Sequence, residues 1–311
     1  MMNTRIATTI PEYLEQLSAA LAGADPAMIQ DALYDAEEYL RSELAAQPGK
    51  SEAEVIASVA GSYGAPEEVA EIYRDTEVTV NRALRPPLPP RRASLPGRFF
   101  GVIVDPRTYG ALFYMLLSLA TGSIYFTVVT TGVGLSLGLM TLIIGIPLLV
   151  LFLGLIRVLS LVEGRIVEVL LGERMPRRPL YTERDKSWLE RIKEMFTDGR
   201  TWTAMLYFAL MLPLGVAYFT VALTGLTTSI VLMAAPILVW IGVEEILVGA
   251  SAILAFMTGG VDIYDSIGAW EVPLVMLAGF LLFFVTLHIA KGLGKLHGLL
   301  AKHLLVRNPV V

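Results

Sequence analysis

Residues 109–130 read YGALFYMLLSLATGSIYFTVVT and contain no charged side chain. They belong to a longer stretch, 108–162, in which Arg157 is the only charged residue. About 20 apolar residues are enough for an α-helix to cross the hydrocarbon core of a bilayer. A backbone in that core must satisfy its own hydrogen bonds, and a helix does so within one segment. The stretch therefore predicts membrane-spanning helices.

The composition of the whole chain fits a body embedded in a membrane. Of its 311 residues, 55% are hydrophobic and 17% are charged, with a mean hydropathy of +0.62, whereas about a quarter of the residues of a soluble protein are charged. This excludes a purely soluble chain and a disordered one. The absence of cysteine excludes disulfides, thiolate metal sites and cysteine nucleophiles. Since there are also only three histidines, we expect no cofactor and no metal centre.

Charge is distributed unevenly along the chain. Residues 1–84 hold fifteen Asp and Glu against five Lys and Arg, whereas 201–290 contain no Lys or Arg. This split predicts an acidic, water-facing domain at 1–84 ahead of a membrane-embedded body. Because phosphate binding needs a basic face, we expect no direct binding of nucleic acid. The N-terminus lacks the apolar segment of a signal peptide, so we expect this domain in the cytoplasm.

Apolar residues at helical spacing predict four short helices in the acidic domain. The second of them should run from position 26 to about position 46, and Ser51 and Glu54 predict a capping box at the start of the third. No His, Cys or Lys cluster accompanies the carboxylates. We therefore expect a solvated acidic surface, rather than an acid–base site, from residues that include Asp31, Asp35 and Glu38.

Four segments of this domain form a recognisable series, which is YLEQL at 13–17, DAEEY at 35–39, GKSEAEVI at 49–56 and GAPEEVA at 64–70. They resemble the HAAS-type signalling domain. The resemblance covers about residues 10–75 and implies an all-helical cytoplasmic module with a docking or signalling role, not an enzyme. Members often occur in membrane proteins associated with PadR-like transcription regulators. The implied partner is such a regulator, or a kinase.

A linker rich in proline and arginine follows at 85–100. Its segment RPPLPPRR, 85–92, is expected to be extended, because proline cannot continue a helix. A semi-rigid spacer beside the membrane explains this composition better than a ligand for an SH3-like partner does. Arg91, Arg92 and Arg98 would then lie at the headgroups of membrane lipids.

The body, residues 101–305, contains an internal repeat. The segment DPRTYGALFY at 105–114 recurs as DGRTWTAMLY at 198–207, and the register holds through Gly122 and Gly215. This predicts two copies of one membrane hairpin, each beginning with an Asp-x-Arg-Thr segment.

The body holds five apolar segments of spanning length, followed by a tail at 306–311. The segments are about 109–130, 134–160, 202–224, 227–255 and 272–290. Glycine allows close approach of helices, and we expect this of Gly110, Gly122, Gly134 and Gly138.

The distribution of Lys and Arg predicts which loops face the cytoplasm. Segments 85–107, 163–200 and 291–311 are rich in them, whereas 257–271 has acidic residues and no basic one. Both termini would then be cytoplasmic, which requires an even number of crossings. We therefore interpret 227–255 as a re-entrant or broken segment and expect a multi-pass protein of the inner membrane with four full crossings.

Placing a charged side chain inside the hydrocarbon core costs free energy, so each such residue in a span is a candidate functional residue. The candidates are Arg157, Glu244 and Glu245. When the two copies are aligned through Pro147 and Pro236, Arg157 falls one position beyond the match to Glu245. The charges would then lie at similar depth and form an intramembrane switch. The other interpretation is that all three reach a headgroup layer or a water pocket.

Three amphipathic segments are expected to lie on the inner membrane surface. They are 163–171, 188–196 and 291–303. None of them predicts a catalytic site, and we expect His288 to be packed or interfacial rather than a proton relay.

Motifs along 98–305 are similar to the sensor domain found at the N-terminus of many actinobacterial histidine kinases and in standalone proteins. They include GIP at 145–147, LPLG at 212–215 and KGLGKLH at 291–297. In the kinases a catalytic domain follows, whereas this sequence ends at Val311 without a phosphoacceptor or ATP-binding segment. We therefore expect sensing without kinase activity.

Together these patterns predict an all-α protein that is not an enzyme, with a small cytoplasmic helical bundle followed by a polytopic membrane domain. We expect it to convert a membrane or envelope cue into altered partner binding, by a shift between two packings transmitted through 86–90. The alternative is a small transporter or channel component, in which the two copies flank a substrate path. The sequence leaves open whether the chain forms a homo-oligomer.

Overall fold

The computed structural model describes residues 7–84, 94–142, 144–176, 188–240 and 272–306. Within these ranges the regular structure is helical, and no strand is present. The predicted all-α class is confirmed.

Four helices form the N-terminal domain, residues 7–84. They are α1 (Ile10–Ala20), α2 (Pro26–Ala46), α3 (Glu52–Ser62) and α4 (Pro66–Leu84). The predicted capping box is confirmed, because the Glu54 amide donates to Ser51 Oγ and the Ser51 amide donates to the Glu54 carboxylate. The four helices share one apolar core, in which Tyr13 and Leu17 are fully buried.

Two tyrosine hydroxyls tie the helices of this domain together. Tyr13 on α1 donates to the Gly64 carbonyl at 2.8 Å, and Tyr73 on α4 donates to the Asp35 carboxylate of α2 at 3.1 Å. Burial, followed by neighbouring acidic groups, raises the pKa of both phenols. Both hydroxyls therefore stay protonated donors at neutral pH. Gly64 has a φ of +114°, which favours glycine at this turn.

Six further α-helices follow in the described residues. They are α5 (Leu95–Phe100), α6 (Pro106–Gly138), α7 (Gly145–Leu171), α8 (Trp188–Thr197), α9 (Gly199–Trp240) and α10 (Val272–Leu305). Four of them, α6, α7, α9 and α10, are long and apolar enough to cross a membrane. The predicted polytopic helical membrane domain is confirmed.

The first two long helices differ in their bounds from the predicted spans. α6 continues to Gly138 and α7 begins at Gly145, so the second span starts later than position 134. A helix in a bilayer continues through single glycines, because its carbonyls have no other partner there. The turn comes at Gly145, whose amide donates to the Leu139 carbonyl at 3.0 Å. An added Cβ at Gly145 would lie 2.6 Å from the Ser136 carbonyl oxygen.

The predicted segments 202–224 and 227–255 also differ from the structure. Residues 199–240 form the single helix α9, and the remainder of 227–255 lies outside the described residues. The hydroxyls of Thr224 and Thr227 donate to carbonyls one turn earlier, at 2.6 and 2.7 Å. These bonds let polar residues stay in a continuous helix, where the sequence predicts a break.

The described residues form two compact units. Those within 1–88, 129–207 and 298–311 form the first unit, and those within 89–128 and 208–297 form the second. The N-terminal domain belongs to the first unit.

In the second unit α6 and α9 cross at two glycines. An added Cβ on Gly122 of α6 would lie 2.3 Å from the Met211 carbonyl oxygen, and one on Gly215 of α9 would lie 2.2 Å from that of Ser118. The contacts are reciprocal, because each glycine faces the residue four positions before the other glycine. The facing atoms are backbone, which cannot turn away, so the crossing requires glycine at both positions.

The other glycines expected at close approaches behave differently. At Gly134 and Gly138 of α6 an added Cβ would meet nothing within 4 Å. The prediction of close packing is therefore right for Gly122 and wrong for these two, which face open space.

We expect Gly122→Ala to lower the free energy of unfolding by about 1–3 kcal/mol, because α6 and α9 must separate to admit the methyl group. Gly134→Ala on the same helix is the matched control. It should keep or slightly raise stability, since alanine is the better helix former by about 1 kcal/mol. Thermal unfolding in detergent, followed by helical circular dichroism, measures both. Equal midpoints for the two variants would contradict the close crossing.

Candidate functional site

The three charges predicted as an intramembrane switch fall only partly within the described chain. Arg157 on α7 has its Nη2 atom 3.3 Å from Asp198 Oδ2, just before α9. Glu244 and Glu245 lie outside the described residues. The carboxylate that meets Arg157 in the structure is thus the aspartate of the second Asp-x-Arg-Thr segment.

The two Asp-x-Arg-Thr segments start α6 and α9 with the same hydrogen bonds. Asp105 Oδ1 and Asp198 Oδ1 each accept the backbone amide two residues later, at 3.1 Å. The other carboxylate oxygen of each meets a basic side chain of another helix, which is Lys291 on α10 for Asp105, at 2.6 Å, and Arg157 for Asp198. Each aspartate therefore caps one helix and fastens it to another.

The pKa of Asp105 reflects these contacts. Only 6% of its side chain is exposed, and burial by itself would raise the pKa of the carboxyl. Hydrogen bonds from Lys291 and from the Arg107 amide, with the charges of both side chains, outweigh burial and lower the pKa of Asp105 below its usual value. The folded protein thus favours the charged carboxylate.

We expect Asp105→Asn to lower the melting temperature at neutral pH by removing the charge that faces Lys291. The asparagine oxygen still caps α6, and Lys291 is half exposed, so the loss should be about 1 kcal/mol or less. Because the folded pKa lies below the unfolded value of about 4, the difference from wild type is full above about pH 4 and disappears as the pH falls through the folded pKa. Unfolding curves from about pH 3 to pH 7 test this. A difference that persists unchanged at the acid end would contradict it.

A buried histidine joins three helices of the second unit. His297 on α10 is 1% exposed, and its Nε2 lies 2.6 Å from the Tyr114 hydroxyl of α6. Its Nδ1 lies 3.3 Å from the Tyr218 hydroxyl of α9. A neutral imidazole has one donor and one acceptor nitrogen, so one hydroxyl accepts from the ring and the other donates to it. The prediction of a surface helix at 291–303 is corrected here, because α10 continues through this segment and packs His297 between helices.

A buried carboxylate lies in the first unit. Glu163 on α7 is fully buried, and its Oε1 accepts the Tyr207 hydroxyl of α9 at 2.8 Å. A carboxylate withdrawn from water needs such donors. Within the described ranges no group of three or more His, Asp or Glu side chains is placed to hold a metal ion. The hydrogen bond between Tyr207 and Glu163 links α7 to α9.

The N-terminal domain meets the ends of long helices through the start of α2. Asp25, which caps α2, forms an ion pair with Lys302 near the end of α10. Gln30 Oε1 accepts a guanidinium N–H of Arg200 at 3.0 Å, at the start of α9. Both partners in the long helices are basic.

A third contact reaches the end of α7. Asp31 Oδ2 lies 3.7 Å from Nη2 of Arg174, three residues beyond α7. Asp31 is only 6% exposed, whereas Glu38 on the same helix is exposed as expected. The prediction of a solvated surface is therefore wrong for Asp31, which is buried and lies beside a basic side chain.

These contacts form one polar interface within the first unit. We call its N-terminal side the docking face, which is Asp25, Gln30 and Asp31, and its other side the basic ends, which are Arg174, Arg200 and Lys302. The ion-paired side chains are between 8% and 26% exposed. Their partial burial strengthens the electrostatic attraction between them, because fewer water molecules screen the charges. Their partial exposure keeps the desolvation free energy of the pairs small, so the pairs can separate. The contacts place the end of α7, the start of α9 and the end of α10 on the same side as the N-terminal domain.

This interface does not follow from the sequence, although the sequence contains one indication of it. Arg174 and Arg200 fall in the basic segment 163–200, and Lys302 falls in the basic segment 291–311. The positive-inside pattern explains such clusters by orientation alone. A single sequence does not say which carboxylate each of these cations meets.

One known protein family matches the part of the chain that contains the four long helices. A family model with the description "Putative sensor" matches residues 114–305, from within α6 to the end of α10. No curated protein and no solved structure matches the chain. The matched residues make up more than half of the chain and include most of each of the four long helices. This chain belongs to the family described as "Putative sensor".

Proposed function

We propose that this chain is a membrane-bound sensor that passes a membrane or envelope cue to a cytoplasmic partner through its N-terminal domain, without catalytic activity of its own. The observation that carries the proposal is the interface between the docking face and the basic ends. Through it, three long helices contact one face of the domain. A change in how these helices pack would therefore reach the domain directly.

The proposed switch is a separation of the docking face from the basic ends. Ion-pair energy falls with distance and is screened by water and salt. A slide or tilt of α7, α9 or α10 would withdraw at least one cation from its partner. The docking face would then be free to meet another protein, and the two states would differ in partner affinity.

We keep Arg157 as a proposed switch charge, but with Asp198 as its partner in place of Glu244 or Glu245. It pairs with Asp198, and the same aspartate accepts the backbone amide of Arg200. The Arg200 side chain in turn donates to Gln30 of the docking face. A disturbance at Arg157 would thus reach the interface in two steps. The roles of Glu244 and Glu245 stay predictions.

We further propose that the protein lies in the inner membrane with its N-terminal domain in the cytoplasm. Support comes from charge, since the helix ends that contact this domain carry Arg174, Arg200 and Lys302, and cytoplasmic loops are rich in such residues. α7 ends and α9 begins beside the domain, and α10 also ends beside it. This agrees with an even number of crossings.

The identity of the domain and the repeat are also part of the proposal. The four-helix core of the N-terminal domain supports a HAAS-type module at 10–75, with a PadR-like regulator or a kinase as partner. Two observations support two copies of one hairpin. The same hydrogen bond caps α6 at Asp105 and α9 at Asp198, and the close contacts of Gly122 and Gly215 are reciprocal.

Carbodiimide crosslinking tests the interface, because this zero-length reagent couples an amine to a carboxylate that it touches. The full chain in membranes should give a crosslink between Lys302 and Asp25, read by mass spectrometry. Arg174→Asp places a negative charge beside Asp31 and should reduce its yield severalfold. The exchanged pair, Asp31→Arg with Arg174→Asp, should restore the yield.

The matched control is Arg165→Asp on α7. Arg165 is exposed and pairs with Glu168 in its own helix, so this variant makes the same charge change outside the interface and should leave the crosslink intact. A yield unaffected by Arg174→Asp, or reduced equally by Arg165→Asp, would contradict electrostatic docking.

Crosslinking capture from native membranes and cytosol tests the function. The full chain should capture a transcription regulator or kinase that a version lacking residues 1–84 does not. If the version lacking residues 1–84 captured the same proteins as the full chain, the signalling proposal would be contradicted. If variants of Glu244 and Glu245 changed solute flux without changing partner binding, the transporter alternative would replace it.

A further inference from the structure

A shallow pocket lies where α5 packs against α10 in the second unit. It has a volume of about 480 Å³ and is lined by Arg98, Phe99, Val285, His288 and Ile289. Val285 and Ile289 are 40% and 42% exposed and lie one turn apart on α10. They present an apolar strip to the surroundings of the helix. Pockets of this volume are large enough for small ligands.

The wall of the pocket is firmly built. The rings of Phe99 and His288 stack with centroids 5.4 Å apart, and Phe100 meets Phe284 edge-on at 5.0 Å. His288 Nε2 lies 3.0 Å from the Phe99 carbonyl oxygen. Because a carbonyl only accepts, Nε2 is the donor, and this bond holds α5 against α10.

Arg98 brings a positive charge to this apolar pocket. Its side chain is exposed and lines the pocket. In the part of the chain that the structure describes, the guanidinium forms no hydrogen bond or ion pair. Arginine recognises phosphate oxygens through paired N–H donors. The pocket therefore combines a phosphate-binding group with an apolar strip.

The position of the pocket along α10 matches the boundary of a bilayer. Residues 272–290 of α10 contain no Asp, Glu, Lys or Arg, and Lys291 is the first charged residue. Lys291 pairs with Asp105 immediately before α6, so the polar layer begins there. The pocket residues at 285–289 lie two to six residues before Lys291, and so within two turns of that level, where lipid phosphates meet acyl chains.

We propose that this pocket binds an anionic phospholipid of the membrane, with the phosphate on Arg98 and an acyl chain along Val285 and Ile289. The apolar strip selects a ligand with a chain over a soluble phosphate. The positive charge of Arg98 favours a headgroup with net negative charge over a zwitterionic one. This site depends on the membrane location of the chain and not on the proposed signalling role.

Native mass spectrometry of the full chain tests the proposal. The protein is released from detergent that contains equal amounts of phosphatidylglycerol and phosphatidylcholine, and the retained lipids are counted. Wild type should retain phosphatidylglycerol in preference. Arg98→Gln should reduce this retention about fivefold, as expected for one basic residue at the membrane surface.

Two further variants separate the site from general effects. Lys295→Gln removes one exposed charge from the same helix outside the pocket and should leave the preference unchanged. Ile289→Asn should reduce retention of phosphatidylglycerol by disturbing the apolar strip. Helical circular dichroism checks that every variant is folded.

Three outcomes would overturn the proposal. Wild type that retains both lipids equally would remove the anionic preference. An equal loss for Lys295→Gln and Arg98→Gln would show that net charge, and not the pocket, holds the lipid. Displacement of the lipid by glycerol 3-phosphate would show that a soluble headgroup is enough and would assign the site to a free phosphate compound.

Discussion

The cost of placing a charge in hydrocarbon determines where the basic side chains of this protein lie. The long helices carry few charges along their length and place them at their ends. Arg174, Arg200 and Lys302 lie at three such ends and meet the docking face. Lys291, which follows the apolar part of α10, meets Asp105. Basic side chains are therefore concentrated near the ends of the apolar segments. Acidic side chains of the chain form ion pairs with several of them.

In the proposed function, helix packing acts on the N-terminal domain through these polar contacts. Among the described residues, two ion pairs and one hydrogen bond join the domain to the helix ends, and the ion-paired side chains are partly exposed. The carboxylate of Asp198 makes two of the contacts on this side of the protein. It caps α9 by accepting the amide of Arg200, whose side chain donates to Gln30, and it pairs with Arg157.

Local features of the fold follow from the sequence, and long-range ones do not. The ends of α2 and the capping box at Ser51 were predictable because caps and apolar stripes act within a few residues. Gly122 and Gly134 look alike in sequence, and only the crossing of α6 with α9 distinguishes them. The burial of Asp31 and of His297 also depends on segments far away in the chain. The spans ran on past their predicted ends because a helix in a bilayer stops only where its carbonyls find other partners.

Spin-label distance measurement tests the central claim most directly, since the chain has no cysteine and two labels can be placed without interference. Glu38→Cys on α2 and Leu299→Cys on α10 are both at exposed positions. In lipid vesicles the labelled protein should give one narrow distance distribution, and Arg174→Asp should add a second population at longer distance. A broad distribution in the parent protein, or an unchanged one in the Arg174→Asp variant, would contradict an electrostatically docked N-terminal domain.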